Sequence, residues 1–300
     1  MPVDVNRPGP WNHRNLTARG TRFHVALAGP EAPSGSGLLT LLIHGFPECW
    51  WTWRHVIPAL AQAGHRVAAL DLRGFGGSDR PPSGYDLVTL AQDIAAVVRS
   101  LGHERAMVIG AGLGGQVAWA LPHVAPDLTR AIVPVGAPHP LALRSLRSRA
   151  LSGPALQYAS LQIPGLAERR LRSRSALEGL LRSWAGPHTR EAVAEEAPYY
   201  AELLSRPGAA RSALEPLRNL MLSRAETAAL ERPVTVPVLS VQGQLDPVQP
   251  AQAYARDTHH VTGNLHQATI RRSGHFPQEE APAELVRALM PFLAGVAPAV

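Results

Sequence analysis

An α/β domain with a mostly parallel sheet, helices on both faces and one helical insertion is the fold class this sequence predicts. Three observations carry the prediction. Short apolar runs alternate with helix-period stretches over residues 38–135, as in a sheet whose strands are joined by crossover helices. The same alternation resumes over residues 236–293. Between the two, residues 139–232 show helical patterning, many arginines and no convincing strand.

The elements follow in order. Two β-like runs at 13–18 and 22–28 flank Arg19-Gly20-Thr21 and predict a hairpin. Residues 30–37 read as a loop. The continuous apolar run 38–43 predicts a buried parallel strand. A helix is expected at 50–63, closed by Gly64, and a strand at 66–70. The Gly-rich loop 73–83 follows, and Asp71 and Arg73 are expected to brace it as an ion pair. An amphipathic helix at 87–101 ends at Gly102. Strands at 105–109 and 130–135 enclose a helix at 113–124. After the insertion, a strand at 236–241, a helix at 250–258, a strand at 265–270 and a helix at 281–293 complete the chain. The predicted division is therefore a core of 1–138 and 233–300 with a helical cap of 139–232. An insertion at the carboxyl ends of sheet strands sits over the crevice where such sheets bind ligands.

Bulk properties narrow the function classes. The 300 residues are 45% hydrophobic, enough for a full core. A single cysteine, Cys49, excludes an internal disulfide framework and suggests a reducing, cytoplasmic setting. The opening residues lack the apolar core of a secretory signal, and no apolar run reaches membrane-spanning length. The net charge of +6 comes entirely from arginine, with no lysine among the 29 basic residues. Eight arginines lie between Arg144 and Arg182. Aromatic interleaving is sparse there, so a solvated helical surface is favoured over a nucleic-acid site. No metal or cofactor is expected, and a small molecule is the expected partner.

The chemistry concentrates in a few stretches. Residues 107–119 read MVIGAGLGGQVAW. An apolar strand meets a Gly-rich turn and then a helix, the outline of a nucleophile elbow, G-x-S-x-G. The apex should carry Ser, Cys or Asp. It is Gly112, and no such residue lies within two positions. "LLIHGFPECWW" begins at the end of a buried strand, and the Phe46 amide is a candidate oxyanion donor beside the Leu113 amide. "GQLDP" puts Asp246, and "SGHFPQEE" puts His275, just beyond later strands. Asp then His in loops of one sheet edge make a charge-oriented base.

Together these stretches resemble the α/β-hydrolase fold, and specifically its epoxide hydrolase branch. The residues that carry the resemblance are "HGFPE", "DLRGFGGSDRPPSGYD", the elbow, "GQLDP", "GHFPQEEAP" and, in the insertion, "LQIPGLAE" (161–168). It spans nearly the whole chain. The resemblance implies an elbow Asp that opens the epoxide to an ester, a His–Asp pair that hydrolyses it, and two cap tyrosines that bind the epoxide oxygen. This sequence departs at each opening step. Gly112 stands at the nucleophile position. The first tyrosine position aligns with Gln157, leaving Tyr158 one residue off as the candidate. Pro216 and Leu217 stand where a second tyrosine belongs, and Tyr199 and Tyr200 lie earlier.

A glycine relieves the backbone strain of an elbow apex, roughly 1–3 kcal/mol for other residues, and leaves room beside His275. Cys49 is a substitute nucleophile by position but reads better as a core or pocket-wall residue, with Trp51 and Tyr158 as further pocket candidates. Three readings stay open. His275, oriented by Asp246, acts as a general base without a covalent step, in hydrolase, lyase or cyclase chemistry on a small apolar substrate. Alternatively, the chain binds a small molecule without turnover. The third is an ordinary epoxide hydrolase whose nucleophile has been replaced.

Overall fold

The computed structural model describes residues 4–31, 38–144, 159–218 and 222–296. Tyr158 and Gln157 lie outside the described residues. Eight strands form one sheet: β1 (Asn12–Ala18), β2 (Thr21–Ala28), β3 (Leu38–Ile43), β4 (Arg66–Leu70), β5 (Arg105–Ala111), β6 (Thr129–Val135), β7 (Val238–Gly243) and β8 (Leu265–Ile270). Their order across the sheet is β1-β2-β4-β3-β5-β6-β7-β8. β1 and β2 form the hairpin, β2 pairs antiparallel with β4, and every later pairing is parallel. Beyond their first residues, half-buried Leu38 and exposed Arg105, the central strands β3 and β5 are buried and, Thr40 apart, carry no polar side chain, as a sheet covered on both faces requires.

Helices α1 (Ile57–Gln62), α2 (Leu87–Ser100) and α3 (Leu113–Val124) join the first parallel strands. Asp86 caps α2, its carboxylate accepting from the Thr89 amide at 2.8 Å. Every residue of α3 from Leu113 to Pro122 is buried. Two side-chain bonds tie α3 to the segment after β6: Trp119 Nε1 donates to the Ala137 carbonyl and Gln116 Nε2 to the Pro138 carbonyl, both at 2.9 Å.

Between β6 and β7 the described chain is helical: α4 (Pro140–Arg144), α5 (Leu166–Arg172), α6 (Arg174–Trp184), α7 (Arg190–Ala194), α8 (Ala197–Leu204), α9 (Ala209–Arg218) and α10 (Arg224–Leu230). Arg169, Arg170, Arg172 and Arg174 are exposed, and Arg174 and Arg182 pair with Glu178 on the same helix. Among the described residues no helix is long and apolar enough to cross a membrane. α11 (Ala251–Ala255), α12 (Pro277–Glu280) and α13 (Pro282–Val296) complete the core.

Three expectations are corrected. The helix expected at 50–63 is a 3₁₀ turn at Trp50–Trp53 followed by α1, which restarts around Pro58. Pro lacks an amide donor and is favoured in a helix's first turn. The helix expected at 250–258 is likewise split, into α11 and a 3₁₀ turn at Asp257–His259. Asp71 and Arg73 do not pair. Asp71 takes His24 Nδ1 at 2.8 Å and the Trp50 and Gly77 amides. Arg73 instead grips Asp93 of α2 with two nitrogens. Residues two apart in a loop face different directions, and each found a partner from another element.

Candidate active site

Five strands end at one edge of the sheet, and each delivers a piece of the site from just beyond its carboxyl end. β3 leads to His44-Gly45-Phe46, β5 to Gly112, β6 to Gly136, β7 to Asp246 and β8 to His275. This is the edge at which parallel sheets bind ligands.

Gly112 sits at φ 49°, ψ −111°, between the last residue of β5 and the first of α3. That backbone suits glycine. The neighbouring glycines answer a different need. A Cβ on Gly110 would stand 2.1 Å from the Gly114 carbonyl oxygen, and one on Gly114 would stand 2.4 Å from that of Ile43. Strand and helix touch backbone to backbone, and no side chain fits between. At Gly112 there is room: a Cβ there would meet His275 Nε2 at 3.5 Å and the Gly45 Cα at 3.6 Å.

The structure brings His275 and Asp246 together. His275 Nδ1 lies 3.0 Å from Asp246 Oδ2, and both side chains are buried. Asp246 is itself held in place, its Oδ1 accepting from the amides of Val248 at 2.7 Å and Gln249 at 3.1 Å. This contact fixes the His275 tautomer with its free nitrogen, Nε2, toward Gly112. The other side of the ring faces Gly136, whose Cβ would stand 3.6 Å from Nδ1. Burial by itself depresses the imidazole pKa. The Asp246 carboxylate, by charge and hydrogen bond, outweighs it and holds His275 above its ordinary value, with smaller contributions from Glu280 and, once ionised, Glu48.

Phe46 and Leu113 flank the same point. Leu113 is the first residue of α3, so its amide has no acceptor within the helix. The Phe46 amide has none among the described residues. Cys49 is buried, and burial pushes its thiol well up, away from the reactive thiolate. Trp51 is half-buried between core and insertion. Its indole N–H donates to Glu196 at 2.9 Å, and its ring packs on Arg7 and Tyr199. Tyr199 and Tyr200 are buried, with Tyr199 donating to the Asp4 carbonyl and Tyr200 to Glu279.

Sequence reasoning missed three residues here. Glu48 is 2% exposed, and its Oε2 would stand 3.2 Å from a Cβ on Gly45. Thr52 Oγ1 donates to it at 2.6 Å and Gln278 Nε2 at 3.2 Å. Burial foremost, then the charge of Glu279, raises its pKa to about 8, so it is an acid at neutral pH. "HGFPE" contained the signal, but only its burial gives the carboxyl its meaning. Trp184, at the end of α6, stacks edge-on against His275 with ring centroids 5.5 Å apart and lies 6.2 Å from the Phe46 ring. Glu280 hydrogen-bonds on both sides of His275, to the Gly274 and Phe276 amides. Nothing in the spacing marks these last two.

A buried, carboxylate-oriented imidazole thus stands beside two amides, at the carboxyl edge of a mostly parallel eight-stranded sheet. The alpha/beta hydrolase fold family model matches residues 41–282, and the chain belongs to that family. It is 30% identical over 326 residues to epoxide hydrolase A of Mycobacterium tuberculosis, covering 96% of this chain and 99% of that protein. Epoxide hydrolase B of the same organism is 44% identical over 128 residues, a match covering 42% of this chain and 35% of that protein. Among solved structures, an epoxide hydrolase from an endophytic Streptomyces superposes with a TM-score of 0.79 at 29% identity, covering 96% of this chain and 97% of that one. The chain is an α/β-hydrolase related to epoxide hydrolases.

Proposed function

We propose that the protein adds water to a small apolar epoxide in one step, with His275 as general base and no ester intermediate. The observation that carries this reading is the placement of His275 Nε2, free and 3.5 Å from the Cβ position of a residue that has no side chain. At Gly112 nothing can attack, so the attacking oxygen comes from water. His275 Nε2 takes one water proton as the oxygen bonds to an epoxide carbon. The carbon–oxygen bond of the ring breaks, and the Phe46 and Leu113 amides bind the alkoxide. The proton on His275 then returns to that oxygen, giving a diol and a neutral imidazole. Asp246 stabilises the imidazolium between the two transfers. The described helices between β6 and β7 are read as part of a cap that shields these transfers from bulk water, with Trp184 against the His275 ring.

A single turnover in ¹⁸O-water tests it. With a panel of small epoxides, the first equivalent of diol should carry ¹⁸O, and His275→Ala should form none. First-turnover diol carrying ¹⁶O drawn from a protein carboxylate would overturn the direct-water step. Ligand binding without any diol would leave a binding protein instead.

A further inference from the structure

The Glu280 carboxylate is the meeting point of the His275 loop and the helical insertion. Its Oε2 accepts from the Gly274 amide at 2.8 Å on the loop. The same oxygen accepts from the Gly186 amide at 2.7 Å and Thr189 Oγ1 at 2.5 Å on the insertion. Its Oε1 accepts from the Phe276 amide at 2.9 Å. The amides on either side of His275 thus share one carboxylate with the segment after α6. The His275 amide itself donates to the Trp184 carbonyl at 2.9 Å. The two segments are in backbone contact, since a Cβ on Gly274 would stand 2.3 Å from the Gly186 nitrogen. Hydrogen bonds to an ionised acceptor are about twice as strong as neutral ones, and here four of them converge on one group.

We propose that Glu280 is a positioning residue that locks residues 184–189 to the His275 loop, so that movement of the insertion displaces the His275 imidazole from Asp246 and Gly112. Access to the site and competence of the base are then a single event. A site opened by swinging the insertion away has its base out of register, and closure restores it. This coupling rests on the proposed role of His275 as base, but its test does not require turnover.

Amide hydrogen exchange and NMR titration of the His275 ring are measured on the full chain. Carboxylates facing that ring are Asp246, Glu48 and Glu280. Glu280→Gln should speed exchange at Gly186, Gly274 and Phe276 together, at least tenfold, and lower the His275 midpoint. Thr189→Val leaves every charge in place and removes, on the insertion side only, the hydroxyl that bonds Glu280 and the Gly186 carbonyl. It should still speed exchange at Gly274 and Phe276, at least threefold, and shift the His275 midpoint downward. The proposal is overturned if Thr189→Val leaves Gly274, Phe276 and the His275 titration at wild-type values. Should Glu280→Gln fail to fold, Thr189→Val decides alone. If the exchange results appear as expected and no epoxide is turned over, the proposed reaction fails and the coupling stands.

Discussion

Replacing Glu48 with Gln tests the electrostatics of the site while leaving the His275 and Asp246 side chains in place. In the native protein its carboxyl titrates at about 8, against an ordinary 4.5. Between these values the folded chain holds a proton that the unfolded chain has released. Stability therefore falls as pH rises through that window. The loss attributable to Glu48 is roughly 2–3 kcal/mol between pH 6 and pH 8.5, and about 5 kcal/mol once pH exceeds both values. Glu48→Gln is neutral throughout and keeps an oxygen for Thr52. Its new amide replaces an oxygen that accepts from Gln278 Nε2, so the Gln278 amide must turn to present Oε1, which is buried without a partner among the described residues. Urea unfolding of both proteins at pH 6 and pH 8.5 reads the difference. The wild type should lose about 2–3 kcal/mol more than the variant over that interval. Equal losses, within about 0.5 kcal/mol, would mean that Glu48 ionises in the folded protein as it does in water and would refute the reasoning.

Further predictions follow from single contacts. Asp93→Asn removes the charge that Arg73 grips in the buried core; it should cost about 3–5 kcal/mol, read as a fall in Tm, and a loss under about 1 kcal/mol would contradict the pairing. Gly112→Ala meets no clash but forces an L residue to φ 49°, so it should cost about 1–3 kcal/mol of stability. Gly110→Ala has no such latitude, with the Gly114 oxygen 2.1 Å away, and should fail to yield folded protein by circular dichroism. Asp246→Asn leaves the shape of the pair but removes the charge that holds the imidazolium. The His275 midpoint should drop in an NMR titration, and an unchanged midpoint would sink the assigned cause.

Much of this protein was legible along the chain. The hairpin, β4, α3 and β8 appear within a residue or two of where apolar periodicity, glycines and turn residues put them. These are local signals, set by backbone sterics and by which face of an element is apolar. The 3₁₀ turn at Trp50–Trp53 was not legible, because its tryptophans suit a helix and bonds to other segments, from the Trp50 amide to Asp71 and from the Trp50 and Trp51 indoles to Val5 and Glu196, hold them otherwise. The Asp71–Arg73 pairing misled for the same reason. Opposite charges close in sequence suggest a pair, but their partners His24 and Asp93 come from other elements.

For the site, the sequence by itself determined which residues stand beyond the strands: Gly112, Asp246, His275 and the turn at Phe46. It also determined that residue 112 offers no nucleophile. Only the tertiary structure decided that Asp246 and His275 meet at 3.0 Å and that Nε2 faces Gly112. It alone turned Glu48 into a neutral acid and set Glu280 between the insertion and the base. A residue's type fixes what chemistry it can do. Its pKa and partners depend on the water excluded and the charges gathered around it, and those are supplied by segments distant in the chain.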